Sequence, residues 1–317
     1  MHTYERIANL REALNAARGR GKAVGFVPTM GALHEGHLSL VRRARDENDL
    51  VVMSVFVNPT QFNDPSDFEK YPRDLERDKA MAAGAGADIV FSPAREEIYP
   101  EGFATGVTVH GLTDILEGAS RPGHFQGVAT VVAKLLNIAQ PDRAYFGEKD
   151  YQQLQVILRM AADLNIPTDI VACPTLREAD GLALSSRNVR LSPEERKAAV
   201  VLSRALRETQ KAATRGERDA RKLAGALARQ IEAEPLAKLD YAVIADPESL
   251  REVERIEGKA IALVAAVFGG VRLIDNAGLG THPSRNGWGR RAWHDDMWFT
   301  PFPGQERKRF QGAFRLS

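Results

Sequence analysis

Residues 49–57, DLVVMSVFV, are apolar at nearly every position and rich in β-branched side chains. A strand with one wet face alternates apolar and polar residues, so an almost unbroken apolar run belongs to a strand covered on both faces, as in a parallel sheet wrapped by helices. The run stops at Asn58-Pro59. Shorter runs of the same kind recur at residues 23–27, where Pro28 is expected to end the strand, and at 88–91, 144–146 and 168–172. Between them apolar residues fall at helical spacing: Ile7, Leu10, Leu14 and Ala17; then from near Gly36 through Leu38, Leu40, Val41 and Ala44; then through Leu75 and Met81. Phe125, Val128, Val132, Leu135, Leu136 and Ala139 mark a further helix, and residues 151–164 another. Such alternation predicts an α/β fold built on a parallel sheet with helices on both faces.

The rhythm changes after about residue 175. Ser192 as cap and Pro193 in the first turn open a long helix toward Gly216, and a second helical stretch reaches about Glu232. Strand candidates follow at 239–244, 260–268 and 271–274. A smaller α+β C-terminal domain is expected, so that the chain divides into residues 1–175, residues 176–278 and a tail, 279–317. A length of 317 residues accommodates two domains with proper cores. The tail holds all three tryptophans (Trp288, Trp293, Trp298) with Phe299, Phe302 and Phe310, and its seven Lys or Arg against three acids make it +4 where the remainder is −3. An aromatic and arginine mixture could stack on single-stranded nucleic acid, but an irregular terminal appendage is the simpler reading. The body of the chain has no basic signature, and a nucleic-acid partner is not expected.

A single cysteine, Cys173, excludes an internal disulfide framework and a cysteine-based zinc site, and reads as a small buried apolar residue in a reducing compartment. No apolar stretch reaches the length of a signal peptide core or a membrane span, so a cytoplasmic location and no membrane partner are expected.

The chemistry concentrates at residues 27–37, VPTMGALHEGH. His34 and His37 have neither the HExxH spacing nor a nearby cysteine set that zinc would need. Three-residue spacing puts them on one face of a helical turn. With a strand ending near Val27 and a helix starting near Gly36, they stand at the carboxyl edge of the sheet, where backbone N–H groups and the helix dipole favour an anion. The small residues Gly31, Ala32 and Gly36 would let a phosphate or nucleobase approach the backbone, with neutral or protonated imidazoles donating to phosphate oxygens. Spacing alone fits two surface histidines on an arbitrary loop equally well.

HEGH resembles the HIGH-type signature of the nucleotidyltransferase superfamily, and PTMGALHEGHLSL is similar to one of its members, the pantoate–β-alanine ligase family. Four further stretches resemble that family in the same order: SVFVNPTQF at 54–62, EGASRPGHF at 117–125, FGEKDYQQL at 146–154 and DGLALSSRN at 180–188. The likeness runs to about residue 276, beyond which the chain departs from the family's usual end after a stretch like Leu273-Ile274-Asp275-Asn276.

The resemblance implies a Rossmann-like N-terminal domain and a smaller domain closing over ATP, in a homodimer. It implies a two-step ligation. Pantoate and ATP give pantoyl adenylate and pyrophosphate, then β-alanine attacks the activated acyl carbon to give pantothenate and AMP, without a covalent enzyme intermediate. Attack on the α-phosphate builds charge on phosphoryl oxygens, so positioned donors matter more than a protein nucleophile. His37, His34 and Lys149 are the catalytic candidates, the position of His37 being assigned proton donation in the family. ATP would meet Met30, Gly31, Ala32, Leu33, His34, Glu35, Gly36 and His37, then Gly147, Glu148, Lys149 and Asp150, then Leu176, Leu184, Ser185, Ser186 and Arg187. Gln61 would bind pantoate and β-alanine, and Gln153 pantoate, because an amide both donates and accepts. Arg121 and His124 would shape or close the site. Mg²⁺ would enter with ATP, whose phosphates supply most of its ligands, and Asp78 is a candidate carboxylate contact. Another adenylyltransferase with a different acceptor, or a catalytically silent nucleotide- or RNA-binding protein using the tail, are the competing readings; Gln61 and Gln153 argue against the first, the intact histidines, Lys149 and LSSRN against the second.

Overall fold

The first layer of the fold is a six-stranded parallel sheet built from β1 (His2–Tyr4), β2 (Val24–Thr29), β3 (Leu50–Val55), β4 (Ile89–Phe91), β5 (Arg143–Gly147) and β6 (Asp169–Cys173), in the spatial order β1-β4-β3-β2-β5-β6. The computed structural model describes residues 1–63, 68–69 and 71–280. Leaving aside edge strand β1, the order is that of doubly wound nucleotide-binding folds: the chain first winds outward from β2, then returns to wind the other way from β5. β2 and β5 are neighbours, so their carboxyl ends flank the topological switch point, where open α/β sheets bind ligands. The segments that follow them are residues 30–37 and 148–150.

Alternation along the buried strands separates two cores. Val24, Phe26 and Val52 face α1 (Ile7–Arg18), while Val27, Val51 and Met53 face α2 (Glu35–Glu47) and α3 (Leu75–Ala85). Short helices α4 (Arg95–Ile98) and α5 (Glu117–Ser120) precede α6 (His124–Ala139), which packs with α7 (Tyr151–Asp163) on the α1 side. Helices therefore cover both faces, as the continuous apolar runs require. Cys173 ends β6 with 4% exposure, and burial pushes its thiol up to about 12, so it is an inert core residue.

Two details differ from the sequence reading. A strand at His2–Tyr4, too short and polar to announce itself, pairs with β4. And β2 does not stop at Pro28 but runs to Thr29. Val24 is bonded toward β5 through its carbonyl and Thr29 toward β3, so the even positions of β2 face β5, and pairing with β5 ends at Phe26. The N–H that proline lacks would thus point where no ladder continues.

The C-terminal part carries an antiparallel sheet, β7 (Lys238–Ala245), β8 (Ala260–Phe268) and β9 (Val271–Leu279), behind α8 (Pro193–Ala198), α9 (Val201–Thr214) and α10 (Ala220–Glu232). Ser192 caps α8 in a reciprocal box with Glu195. The single long helix expected toward Gly216 is instead two, because the hydrogen bonds tighten to i→i−3 at Val200 and Leu202. One face of this sheet, with Ala262, Val264 and Ala266, packs on α9 and α10; the other, with Val243, Ile261 and Leu263, joins the core of the first layer. Apolar packing therefore crosses residue 175. β9 runs to Leu279, past the expected 271–274, and the expected tail lies from residue 281 onward outside the described residues.

Candidate active site

His34 is the N-cap of α2. Its Nδ1 accepts from the Gly36 N–H at 3.1 Å, while the Nδ1 of His37 accepts from the His34 N–H at 3.4 Å, a reciprocal cap made from two imidazoles whose centroids lie 4.1 Å apart. A Cβ on Gly36 would sit 2.8 Å from His34 Cε1, which is why this position needs glycine. With both Nδ1 atoms accepting, each neutral ring carries its hydrogen on Nε2. Desolvation, reinforced by the Lys149 charge, lowers the His34 pKa; desolvation and then His34 push His37 down to about 3. The pair is neutral at pH 7, which resolves the choice left open by the sequence.

The loop before this helix is shaped by Asp78. Gly31 and Ala32 both adopt positive φ, +79° and +50°, an arrangement costing on the order of 1 kcal/mol at the alanine. Asp78 holds it, its two oxygens each receiving a backbone N–H at 2.9 Å, from Ala32 and Leu33. The carboxylate is 2% exposed, and the role it shows is this anchoring of the loop. One expectation changes here. Backbone N–H groups were to receive the anion, but those of Gly31, Ala32, Leu33, His34, Gly36 and His37 already donate within the protein. With those amides engaged, the loop has mainly its side chains to offer.

Lys149 lies in a single 3-10 turn, Glu148–Asp150, between β5 and α7. Its side chain is 17% exposed, with Nζ 3.7 Å from Asp150. Burial works to raise the Asp150 carboxyl, but the charges of Lys149 and Arg187 outweigh it and hold the group below the usual carboxylate range. Two cations, one adjacent in sequence and one from residues 184–187, thus act on one carboxylate.

Gln61, 8% exposed, is fixed at both ends of its amide: Oε1 accepts from Asn58 Nδ2 at 3.2 Å and Nε2 reaches Met30 Sδ at 2.8 Å, next to the histidine loop. Its carbonyl receives His124 Nδ1–H at 2.8 Å. The other nitrogen of that neutral ring accepts from Arg121 at 3.1 Å. Burial first, then Arg121, pushes His124 down to about 4, so it orients Arg121 and Gln61 without carrying charge.

In LSSRN, the Leu184 Cβ lies 3.9 Å from where Gly36 would carry its own, and the Leu184 N–H donates to the Leu176 carbonyl at 3.0 Å. Ser186 lies close enough to Tyr71 to act on its hydroxyl, and Arg187 acts on Tyr71, Arg121 and Asp150. The structure thereby gathers His34, His37, Lys149, Asp150, Gln61, Arg121, His124, Leu184, Ser186 and Arg187. Gln153 lies half-buried one turn into α7, and Leu176 is 39% exposed beside Leu184. The carboxylate of Glu35 turns along the outside of α2 to Arg42, while its backbone stays between His34 and Gly36 at the helix start. Asn58, Tyr71, Asp275 and Asn276 were missed as site residues. Asn58 sits inside a quoted motif, and Asp275-Asn276 were noticed merely as the point where the likeness ends.

Side-chain donors suited to phosphate oxygens, converging at the switch point of a doubly wound sheet, define a nucleotide-binding enzyme of the kind that transfers phosphoryl-linked groups. The family model described as pantoate-beta-alanine ligase matches residues 2–278, and the chain belongs to that family. It is 56% identical to the pantothenate synthetase of Moorella thermoacetica over 279 residues, 88% of this chain and 99% of the relative. The crystal structure of pantothenate synthetase from Thermus thermophilus superposes with a TM-score of 0.83 at 54% identity, covering 87% of this chain and 99% of that one. The enzyme from Francisella tularensis, described as complexed with beta-gamma ATP and beta-alanine, gives 0.72 at 38% identity, with 87% and 97% covered. Among the described residues no helix is long and apolar enough to cross a membrane.

Proposed function

We propose that, in the ATP-dependent ligation of pantoate and β-alanine to pantothenate, the crevice between β2 and β5 is the adenylation site. His34, His37, Lys149 and residues 184–187 hold the triphosphate, and Gln61 and Gln153 hold pantoate. The pantoate carboxylate attacks the α-phosphorus and the bond to the bridging oxygen breaks, so pyrophosphate leaves and pantoyl adenylate remains. The β-alanine amine then attacks the acyl carbon, loses a proton, and expels AMP. Neutral imidazoles donating from Nε2 and the Lys149 ammonium would stabilise the charge that develops on the phosphoryl oxygens. An arriving triphosphate raises the affinity of both imidazoles for protons, which suits His37 to proton donation once the site is filled.

The observation that carries this reading is the meeting at the start of α2 of the paired imidazoles, 4.1 Å apart, with Leu184 of the serine-arginine loop, 3.9 Å from the Cβ position of Gly36, and with the Lys149 charge that acts on both rings. Mg²⁺ fits as part of the substrate MgATP. The described residues contain no group of three or more His, Cys, Asp or Glu side chains able to hold an ion, so the phosphates would supply most ligands, with Asp150, 3.7 Å from the Lys149 ammonium, a carboxylate within the site. Incubating the purified protein with MgATP, pantoate and β-alanine should yield AMP and pantothenate in equal amounts, and omission of β-alanine should leave enzyme-bound adenylate. AMP without pantothenate would overturn the assignment of the acceptor.

Gln153→Ala is expected to raise the KM for pantoate about tenfold, the loss of one well-placed hydrogen bond, with little effect on that for ATP; equal changes in both would remove Gln153 from the pantoate site. Truncation after Gly280 should leave turnover unchanged, because the family match ends at residue 278 and β9 at Leu279. Cutting after Asn276 would instead remove the end of β9. The division into residues 1–175 and 176–278, with the second part closing over ATP, belongs to this proposal, as do a homodimer and a cytoplasmic location. The buried reduced thiol of Cys173 and the need for ATP support the last, and sedimentation tests the dimer.

A further inference from the structure

We propose that Asp275 and Asn276, neighbours on β9, are positioning residues that set the two phosphate-binding segments in register with each other. The inference rests on the reading of Lys149 and residues 184–187 as triphosphate ligands. Asn276 is 9% exposed, and its Nδ2 donates to the carbonyls of Glu148 at 2.9 Å and Lys149 at 3.1 Å. Those carbonyls belong to the turn that carries the Lys149 side chain, so one amide with two hydrogens fixes the turn's orientation from outside its own layer.

The preceding residue holds the other segment. Asp275, 3% exposed, accepts a two-pronged contact from Arg177, 2.6 Å from Nη1 and 2.9 Å from Nη2. Arg177 also donates to the Gly181 carbonyl at 3.1 Å and is bridged to Ala183, so it stands at the root of the short hairpin that leads directly into residues 184–187. The Asn276 backbone N–H donates to Asp275 Oδ1 at 2.8 Å, which fixes the Asp275 carboxylate against the main chain of its neighbour. A strand of the C-terminal sheet therefore grips the turn after β5 with one residue and the arm of the serine-arginine loop with the next. Neither side chain is needed for contact with substrate in this arrangement; their effect passes through Lys149 and through Ser185, Ser186 and Arg187.

The two half-reactions separate this role from a general structural one. Adenylate formation needs the β- and γ-phosphates held, whereas aminolysis of preformed pantoyl adenylate does not. Asn276→Ala should slow single-turnover adenylate formation by about ten- to a hundredfold, as a displaced reacting geometry does, and leave aminolysis of supplied pantoyl adenylate within about twofold of the parent. Arg177→Lys keeps the charge against Asp275 but loses the fork, and should give the same split. Equal loss in both half-reactions, or unimpaired adenylate formation, overturns the proposal; if Asn276→Ala does not fold, Arg177→Lys decides alone by the same criterion. Lys149→Ala run alongside distinguishes the two levels. Normal adenylate formation in Lys149→Ala would refute the underlying reading, while impairment there with parental rates in the positioning variants would refute this inference only.

Discussion

Lys149→Ala is expected to slow pantoyl adenylate formation by about a hundred- to a thousandfold while leaving the protein folded. The side chain is mostly buried, yet its one ion pair among the described residues is the loose 3.7 Å approach to Asp150, so little folding energy depends on it. Removing it withdraws a full positive charge from a place where phosphoryl oxygens gain negative charge in the transition state, and water admitted to the gap is a poor substitute. Loss should fall on the rate of the first step rather than on aminolysis. The same variant has a second signature: Lys149 helps lower the pKa of both imidazoles, so each should titrate at higher pH once it is gone. Rapid-quench measurement of adenylate and NMR titration of the histidines check the two parts. A variant with parental adenylation would end the assignment.

His37→Ala is expected to cost a comparable factor, about a hundred- to a thousandfold in the adenylation rate, by removing an Nε2–H donor and loosening the reciprocal cap of α2. It should also alter how stability depends on pH. In the parent the folded ring binds a proton near pH 3, whereas the unfolded chain binds one near 6.5. Between these values the unfolded state holds the extra proton, so stability contributed at pH 7 is lost as pH falls from 6.5 toward 3, by at most about 5 kcal/mol. The variant lacks this linkage. Denaturant midpoints measured from pH 7 to pH 4 should converge as the pH drops, with the parent falling faster. Parallel curves would show that the ring is not buried in its neutral form.

The parallel layer was legible because strands buried on both faces cannot hide their composition: residues 49–57 alone required helices on either side, and Val51, Val52 and Met53 do divide between two cores. What could not be read was geometry set by contacts distant in sequence. Asp78 looks like an available acid until the fold brings Ala32 and Leu33 against it. His34 and His37 look like anion donors from either nitrogen until the start of α2 engages both Nδ1 atoms. Asn276 carries no local signal, since its partners are main-chain atoms of a turn more than a hundred residues earlier. The break between α8 and α9 escaped for a different reason: helical periodicity continues across it, and no glycine or proline marks it.

The occupied amides of residues 31–34, 36 and 37 set what kind of seat a phosphate finds here. Sites that grip phosphate through the main chain depend little on side-chain identity, and their affinity changes little with acidity. Here an internal carboxylate already fills the main-chain position, so recognition depends on imidazole, ammonium and guanidinium groups. Each of these can be replaced by a single codon change or retuned by its neighbours. Triphosphate affinity in such an enzyme can therefore be adjusted one residue at a time without rebuilding the loop, and it will respond to proton concentration in a way a glycine-rich cradle would not.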